Sequence, residues 1–263
     1  PDKYVTHEAT KGAALTGYER TSNQIFLVYR STVLTEWRSV MVDFTFDKVD
    51  AVDARGTKHG QVHRGFRDAW VGLESSGVEA SLNALMQAHP TAELVFVGHS
   101  LGGALATFAA AQVSSRTGKP VLLYTYGSPR LGDRQYGDWF ATLPITYYRH
   151  VTADDPVPHA PRLLQGYVHV ASGQELWFED LAARKPRVCP RGENDQCANT
   201  VKLATNFAGA HATYLGHKFD QCGLGPIADI QDWAQSALGK LGDTLGDAKD
   251  VAVAVPTAAA DAA

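Results

Sequence analysis

The sequence predicts an α/β fold with a mainly parallel central sheet and helices on both of its faces. Two observations support this prediction. Short apolar runs at 24–29, 93–97, 121–126 and 145–151 are typical of buried strands, and helix-forming segments separate them. The order strand, helix, strand, helix, strand also implies right-handed crossovers between parallel strands. A chain of 263 residues is long enough to bury one large core.

The N-terminal part of the chain gives less regular patterns. Residues 1–23 alternate weakly, and we assign no element to them. Residues 33–44 have apolar side chains at helical spacing, which predicts a short amphipathic helix. We expect paired strands around 42–52 and a long helix over 68–89 that ends before Pro90.

Beyond the last of these strands, two further segments have a clear period. Residues 166–178 alternate between polar and aromatic side chains, which predicts an antiparallel extension of the sheet. From Gly225 onward, apolar residues recur at helical spacing before an alanine-rich tail. We therefore expect one domain over 1–224 and a C-terminal helical extension over 225–263.

Composition places the chain among soluble globular proteins, with 44% hydrophobic and 20% charged residues. A formal net charge of −4 gives no reason to expect nucleic acid or an anionic membrane as a partner. No apolar run approaches the length of a transmembrane helix. Because the chain starts at Pro1 and shows no signal sequence, we expect a processed mature form.

The three cysteines suggest an oxidising compartment. Cys189 and Cys197 flank a short polar loop that a disulfide would close. Cys222 is left over, which indicates either a missing partner or a free thiol. The alternative is a cytosolic protein with three reduced cysteines. We favour an oxidising, extracellular compartment over the cytosolic alternative.

The strongest functional pattern lies between the strand at 93–97 and a predicted helix over 104–115. Gly98-His-Ser-Leu-Gly102 fits G-x-S-x-G, and this succession is the nucleophile elbow, in which a serine lies on a tight turn between strand and helix. The turn strains the serine backbone, so the residues two positions away on each side must be nearly free of side chain. The sequence therefore predicts Ser100 as a nucleophile.

A serine hydroxyl needs a base to remove its proton, and the base needs a buried carboxylate to orient it. On this type of elbow, the partners follow the serine in the order Asp or Glu, then His. Asp155 and His211 satisfy that order. Asp155 comes after the strand at 145–151, and ligand sites in open α/β sheets lie outside the carboxyl ends of strands.

Other residues compete for the same roles. Asp154 is the alternative acid, although an aspartate ahead of Pro156 is also typical of a turn. Of the ten histidines, those before or beside the acid are out of order as a base. His169 and His217 remain as alternatives to His211.

The negative oxygen of a tetrahedral intermediate needs hydrogen-bond donors. The backbone N–H of Leu101 is one, and the second is expected in an earlier strand–helix loop, where Thr32 adds a hydroxyl. Thr32 also fits the N-cap of the helix that follows, and the two roles are compatible. We interpret that helix as a movable lid rather than a core helix. Its apolar face consists of Val33, Leu34, Trp37, Val40, Met41 and Phe44.

Metal and phosphate chemistry have no counterpart in the sequence. The histidines are scattered, and no pair of histidines or cysteines has ligand spacing, so we expect no metal. A Walker-type loop is also absent, and we expect no cofactor.

Together these motifs resemble those of the fungal class 3 lipases, a family that also includes feruloyl esterases. The resemblance extends from about residue 25 to residue 222 and rests on the segments at 29–32, 62–66, 98–104, 126–132, 155–158, 166–169 and 210–216. It implies an α/β-hydrolase fold with a short helical lid. It also implies Ser100 as nucleophile, Asp155 as acid, His211 as base and Thr32 as the side-chain oxyanion donor. His169 falls in a strand motif of the family, which favours His211.

The sequence departs from the family at several points. Ser31 stands where the family usually has glycine, which affects the shape of the oxyanion hole. The family has an N-terminal helix and a disulfide to a cysteine near the C-terminus; we expect neither here, which would leave Cys222 without its partner. The extension over 225–263 either covers a hydrophobic patch or docks where the N-terminal helix would lie.

Three functions fit these observations. The first is a secreted, monomeric lipase that acts on acylglycerols at an oil–water interface, because an opened apolar lid would expose a broad patch. The second is a feruloyl-type or short-chain esterase, since the segments 188–197 and 210–214 also resemble that branch of the family. The third is a non-catalytic binding protein on the same fold.

Overall fold

The computed structural model describes residues 3–10, 12–30, 46–181, 183, 185–190, 192–201 and 207–218. Eight of its strands form one sheet. They are Lys3–His7 (β1), Gly12–Glu19 (β2), Gln24–Tyr29 (β3), Glu93–His99 (β6), Val121–Tyr126 (β7), Ile145–Thr152 (β8), Gln174–Phe178 (β9) and Arg187–Pro190 (β10). Two separate antiparallel pairs are Lys48–Val52 (β4) with Lys58–His63 (β5), and Thr213–Tyr214 (β11) with His217–Lys218 (β12).

The large sheet has the strand order β1-β2-β3-β6-β7-β8-β9-β10. Strands β3, β6, β7, β8 and β9 pair in parallel, whereas β1, β2 and β10 add antiparallel edges. The mainly parallel sheet predicted from the sequence is therefore confirmed. The carboxyl ends of the parallel strands meet along one edge, where the motifs at 98–104 and 155–158 lie.

Four α-helices are described, and their buried apolar residues all belong to one hydrophobic core. They are Arg64–Leu73 (α1), Glu79–Ala88 (α2), Leu101–Thr117 (α3) and Arg134–Phe140 (α4). Alternate strand residues such as Leu94 and Phe96 point into this core. Each crossover advances one strand in the same direction, and right-handed crossovers of that kind leave their helices on the same side.

The other face of the sheet carries aromatic side chains. Tyr124 stacks on Tyr148, with ring centroids 5.3 Å apart, and Tyr126 stacks on His150 at 4.5 Å. These residues lie on β7 and β8, next to the strand that ends at His99. None of the described helices is long and apolar enough to cross a membrane.

Strands β1 and β2 were not predicted. Strand β2 is buried along most of its length, so its sequence has small and apolar residues where a half-buried strand would alternate. Its partner β1 has only one fully buried residue, Val5. Neither strand therefore gives the period of two on which the assignment depends.

The single helix predicted over 68–89 is instead two helices. Helix α1 already begins at Arg64, where the His63 side chain accepts a hydrogen bond from the N–H of Phe66 at 3.3 Å. A π-helical turn over Glu74–Val78 separates α1 from α2, and Gly77 there has a φ of 110°. Because both helices bury residues in the same core, the apolar spacing continues through the break.

The predicted antiparallel extension over 166–178 is wrong in its direction. Only Gln174–Phe178 forms a strand, and β9 runs parallel to β8. The antiparallel partner of β9 is β10. Alternation of side chains identifies a strand but not its direction, and the connection from β8 contains short 3₁₀ turns where a helix is more usual.

Some predictions fall outside the described residues. These are the oxyanion residue Thr32, the lid residues over 33–44, Cys222 and the extension over 225–263. The paired strands expected around 42–52 are represented by β4, which pairs with β5 across the polar turn that follows it.

The π-helical turn contains a carboxyl group with an unusual environment. The hydroxyl of Tyr29 donates a hydrogen bond to Glu74. Burial raises the pKa of Glu74 to about 7, against the opposing effect of the Tyr29 hydrogen bond, while Glu79 raises it further and Arg116 lowers it. The folded protein therefore binds a proton at Glu74 at a pH where the unfolded chain has released it.

We expect this proton to make stability depend on pH. The folded-state pKa lies above the unfolded value of 4.5, so the unfolding free energy falls as pH rises from about 4.5 to 7. Glu74→Gln stays neutral and can still accept from Tyr29. It should be more stable than the wild type at pH 8 by about 1–3 kcal/mol and lose that advantage near pH 4.5. Urea unfolding at both pH values measures this, with Asp68→Asn, at an exposed acid on α1, as control. The same pH dependence in Glu74→Gln and wild type would contradict it.

Candidate active site

Ser100 lies on the turn between β6 and α3 with backbone angles of φ 56° and ψ −128°. Residues other than glycine rarely adopt a positive φ of this kind, so the surrounding structure must hold it. The Ser100 N–H donates to the carbonyl of Tyr126 at 2.8 Å, and the Ser100 carbonyl accepts from Gly103 at 2.9 Å. The strained turn predicted for the nucleophile elbow is present.

Helix α3 begins at Leu101, three residues earlier than predicted. The backbone N–H of Leu101 therefore belongs to the first turn of a helix, where N–H groups have no intrahelical acceptor. The positive end of the helix dipole lies at the same point, directly after Ser100. Both properties suit a donor to a negatively charged oxygen.

Two glycines permit this turn because the backbone packs too closely for any side chain. A Cβ added to Gly98 would lie 2.1 Å from the carbonyl oxygen of Gly102. One added to Gly102 would lie 2.3 Å from the carbonyl oxygen of Tyr29. Such distances are far below van der Waals contact, so the G-x-S-x-G spacing reflects the packing of β6, α3 and β3 against each other.

Three predicted residues form one hydrogen-bonded chain. The Nε2 atom of His211 lies 2.8 Å from Oγ of Ser100, and its Nδ1 atom lies 2.9 Å from Oδ2 of Asp155. A carboxylate can only accept, so Nδ1 of His211 carries a hydrogen and Nε2 is left to accept the serine proton. All three side chains are buried. This is the arrangement that an activated serine requires.

Asp155 is fixed by the turn that follows β8. Its N–H donates to the carbonyl of Thr152 at 3.0 Å, and its Oδ1 accepts from the N–H of Val157 at 2.9 Å. The hydroxyl of Tyr214 donates to Oδ2. The alternative acid, Asp154, is partly exposed and does not take part in this chain.

His211 ends a π-helical turn over Phe207–His211, just before the β11–β12 hairpin. The structure does not bring the two alternative bases to Ser100. His169 is buried, and its Nε2 donates to the carbonyl of Pro158 at 2.9 Å. His217 lies in β12 and pairs with Tyr214 in the hairpin.

Sequence reasoning missed three residues that touch this chain. Nε2 of His99 lies 2.8 Å from the carbonyl oxygen of His211, and Tyr214 contacts Asp155 as described. Gly127 has a φ of 59°, and a Cβ there would lie 2.8 Å from Oδ2 of Asp155 and 2.9 Å from Nδ1 of His211. A glycine directly after a buried strand, in Tyr126-Gly-Ser-Pro, was the available signal.

Buried ion pairs support the acid side of the site. Arg130 pairs with Glu193 at 2.7 Å and donates to the carbonyl of Pro161 at 3.1 Å, while Arg149 pairs with Glu175. The carboxylate of Glu175 also accepts from the N–H of Ala198 at 2.8 Å. These contacts bind the segment after Asp155 to the segment over 192–199.

The predicted disulfide between Cys189 and Cys197 is confirmed. Both sulfurs are buried and pack with Val151 and Trp177 from the sheet. The disulfide therefore fixes the loop that carries Glu193. In the part of the chain that the structure describes, no cluster of three His, Cys, Asp or Glu side chains is suited to hold a metal ion.

A mainly parallel sheet with a strained serine after a central strand, bonded to histidine and aspartate in the chain order Ser, Asp, His, defines the α/β-hydrolase class. Comparison with known proteins agrees. The model of the family "Lipase (class 3)" matches residues 26–165. The chain belongs to the class 3 lipase family.

The chain is similar to the "Lipase" of Rhizomucor miehei, with 31% identity over 204 residues, which are 75% of this chain and 53% of that protein. It is also similar to "Secreted mono- and diacylglycerol lipase 1" of Fusarium solani, with 37% identity over 160 residues, 59% of this chain and 46% of that protein. The chain thus spans about half the length of the curated relatives it matches.

Solved structures share the fold. The triacylglyceride lipase of Rhizomucor miehei superimposes with a TM-score of 0.76 at 27% identity, covering 84% of this chain and 82% of that one. The lipase of Rhizopus microsporus var. chinensis superimposes with a TM-score of 0.75, also at 27% identity, over 84% of this chain and 75% of that one. The predicted α/β-hydrolase fold is confirmed.

The position of Gly127 gives a test of the Asp155–His211 hydrogen bond. Gly127→Ala would push a methyl group into that bond, and we expect kcat for a soluble ester to fall by about 100-fold. Gly118→Ala is the matched control, because Gly118 has a similar φ of 67° but nothing within 4 Å of an added Cβ. It should cost about 1 kcal/mol of stability and leave kcat unchanged. Equal kcat values for the two variants would contradict the steric argument.

Proposed function

We propose that the protein is a serine carboxylic-ester hydrolase that cleaves acylglycerols through an acyl-enzyme on Ser100. One observation carries the proposal: His211 is hydrogen-bonded to both Ser100 and Asp155 within a buried site. The strained backbone of Ser100 and the start of α3 at Leu101 support it further. Membership of the class 3 lipase family supports acylglycerols as the esters that are cleaved.

The first half of the reaction forms the acyl-enzyme. Oγ of Ser100 attacks the ester carbonyl carbon while Nε2 of His211 takes the hydroxyl proton. The imidazolium that results is stabilised by the carboxylate of Asp155. When the tetrahedral intermediate collapses, His211 donates that proton to the leaving glycerol oxygen. An alcohol departs, and the acyl group remains on Ser100.

The negative oxygen of the intermediate needs donors that are already in place. The N–H of Leu101, at the first turn of α3, is the donor that we assign from the described residues. We assign the second role to Thr32 from its sequence motif. Loss of one such donor typically lowers turnover by about 10²- to 10³-fold.

The second half of the reaction releases the acid. Nε2 of His211 takes a proton from water, and the water oxygen attacks the acyl carbonyl. Collapse of the second intermediate returns the proton from His211 to Oγ of Ser100 and frees the fatty acid. The enzyme is then ready for another cycle without a cofactor.

The substrate class follows from the relatives and from the predicted lid. The relatives include a triacylglyceride lipase and a secreted mono- and diacylglycerol lipase, which supports acylglycerols as substrates and an extracellular location. The apolar face over 33–44 would lie against lipid when open. Burial of apolar surface contributes about 25 cal/mol per Å², which offsets the cost of opening. We propose a monomer acting at an oil–water interface.

Replacement of the nucleophile tests the mechanism. Ser100→Ala should lower hydrolysis of p-nitrophenyl butyrate by at least about 10⁴-fold, because no other hydroxyl lies on the elbow. The melting temperature should stay within error of the wild type. Ser114→Ala is a suitable control, since Ser114 is a buried serine on the same helix, bonded to the carbonyl of Lys119. Turnover that survives Ser100→Ala would refute the assignment of the nucleophile.

The substrate class is tested by the lid residue Trp37. Trp37→Ala should reduce hydrolysis of emulsified triacylglycerol and partial glycerides by about tenfold, because less apolar surface then meets the lipid. Hydrolysis of p-nitrophenyl butyrate should change by less than about twofold in the same preparation, because a soluble ester does not depend on contact between the lid and lipid. Trp139→Ala provides a control from α4. Equal losses on both substrates would contradict a lid, and activity on methyl ferulate alone would replace the lipase proposal with a feruloyl esterase.

A further inference from the structure

The segment that carries His211 has little regular structure of its own. His211 ends a single π-helical turn, and the hairpin after it consists of two strands of two residues each. Short elements of this kind have few backbone hydrogen bonds to hold them in place. The position of the imidazole therefore depends on side-chain contacts from other parts of the chain.

His99 provides the first such contact. It is the last residue of β6, next to Ser100 in sequence, and its Nε2 atom lies 2.8 Å from the carbonyl oxygen of His211. A carbonyl oxygen only accepts, so Nε2 of His99 must carry the hydrogen. Burial, together with the neighbouring His211, holds the pKa of His99 well below its usual value. At neutral pH the residue is therefore a neutral donor.

Tyr214 provides the second contact. Its side chain is fully buried, and its hydroxyl donates to Oδ2 of Asp155, the same oxygen that accepts from His211. Burial and the charge of Asp155 raise the pKa of Tyr214 well above its usual value, so the hydroxyl keeps its proton. The rings of His99 and Tyr214 also touch edge to face, with centroids 5.7 Å apart.

We propose that His99 and Tyr214 are positioning residues for the reaction, acting as one support that holds the segment over 211–214 between β6 and the acid. His99 fixes the backbone of His211 from the side of the nucleophile. Tyr214, three residues after His211, fixes the hairpin to Asp155. The inference rests on the proposed function, because it concerns the same serine, histidine and aspartate.

The geometry explains why two contacts are needed. The imidazole must keep Nε2 at Ser100 and Nδ1 at Asp155 at the same time, and rotation of the segment about either end would lengthen one of these bonds. A donor on the carbonyl of His211 and a donor on the acid restrain the segment at both ends. Misplacement of reacting groups by about 1 Å can cost about 100-fold in rate.

The test compares removal of each donor with its conservative replacement. His99→Leu and Tyr214→Phe should each lower kcat for p-nitrophenyl butyrate by about tenfold or more, with KM within about twofold of the wild type, since both side chains are buried. His99→Gln places an amide N–H near the position of Nε2 and should restore most of kcat. A merely structural role would not predict this rescue.

The matched control is His150→Leu. His150 is also buried, and its Nδ1 donates to a backbone carbonyl, that of Thr125 at 3.3 Å, but the bond lies between β8 and β7 rather than at the base. We expect the control to lower the melting temperature as much as His99→Leu does and to leave kcat unchanged. Unchanged kcat in His99→Leu and Tyr214→Phe, or no rescue by His99→Gln, would overturn the proposal.

A measurement without substrate separates this inference from the proposed function. The low-field proton resonance of Nδ1–H in His211 reports its bond to Asp155 directly. It should be sharp in the wild type and shifted or broadened in His99→Leu and Tyr214→Phe, but unchanged in His150→Leu. If the wild type hydrolyses no ester, the proposed function fails, whereas this resonance still decides whether the two residues position the base. An identical resonance in all variants would refute it.

Discussion

The hydrogen bond between His211 and Asp155 is the interaction on which the rest of the site depends. It joins a segment near the end of the described chain to the turn after β8, and it buries a carboxylate away from water. A buried charge is tolerated only when hydrogen bonds replace its hydration. The N–H of Val157 and the hydroxyl of Tyr214 supply two of these bonds, and His211 supplies the third. These hydrogen bonds therefore offset the cost of burying the carboxylate of Asp155, and they also fix the imidazole of His211.

The surroundings extend this principle from one carboxylate to a network. Arg130 with Glu193 and Arg149 with Glu175 bring further charges into the interior beside the acid. Paired charges in the interior contribute little net stability, but the removal of one partner is costly. Here the two ion pairs fix the geometry of the loops. Arg130 also donates to backbone carbonyls in the segment over 159–161, and Arg149 donates to the carbonyl of residue 192. The loop that follows Asp155, whose regular structure is two short 3₁₀ turns, is thereby held in place.

The sequence predicted local turns and, through the chain order Ser, Asp, His, the residues of the site, whereas contacts without such a pattern came from the structure. Ser100, with its flanking glycines, was predictable because the strained turn makes demands within five residues. Strand β2 was not, since a strand buried at most positions has no alternation to detect, and β1 was not, since only Val5 of it is buried. The direction of β9 depends on a partner strand that the local pattern does not encode. The contacts of His99 and Tyr214 join residues 112 and 59 positions apart, and neither spacing carries a periodic signal.

One of the two edge strands of the sheet, β10, has features that limit its pairing with other molecules. Free edges of sheets recruit strands from neighbouring molecules. Strand β10 is only four residues long, ends in Pro190, which has no N–H to offer, and begins at Arg187, whose charged group lies over Trp177. The bridge from Cys189 to Cys197 folds the following loop back on the same strand. Together these features discourage edge-to-edge aggregation between copies of the protein.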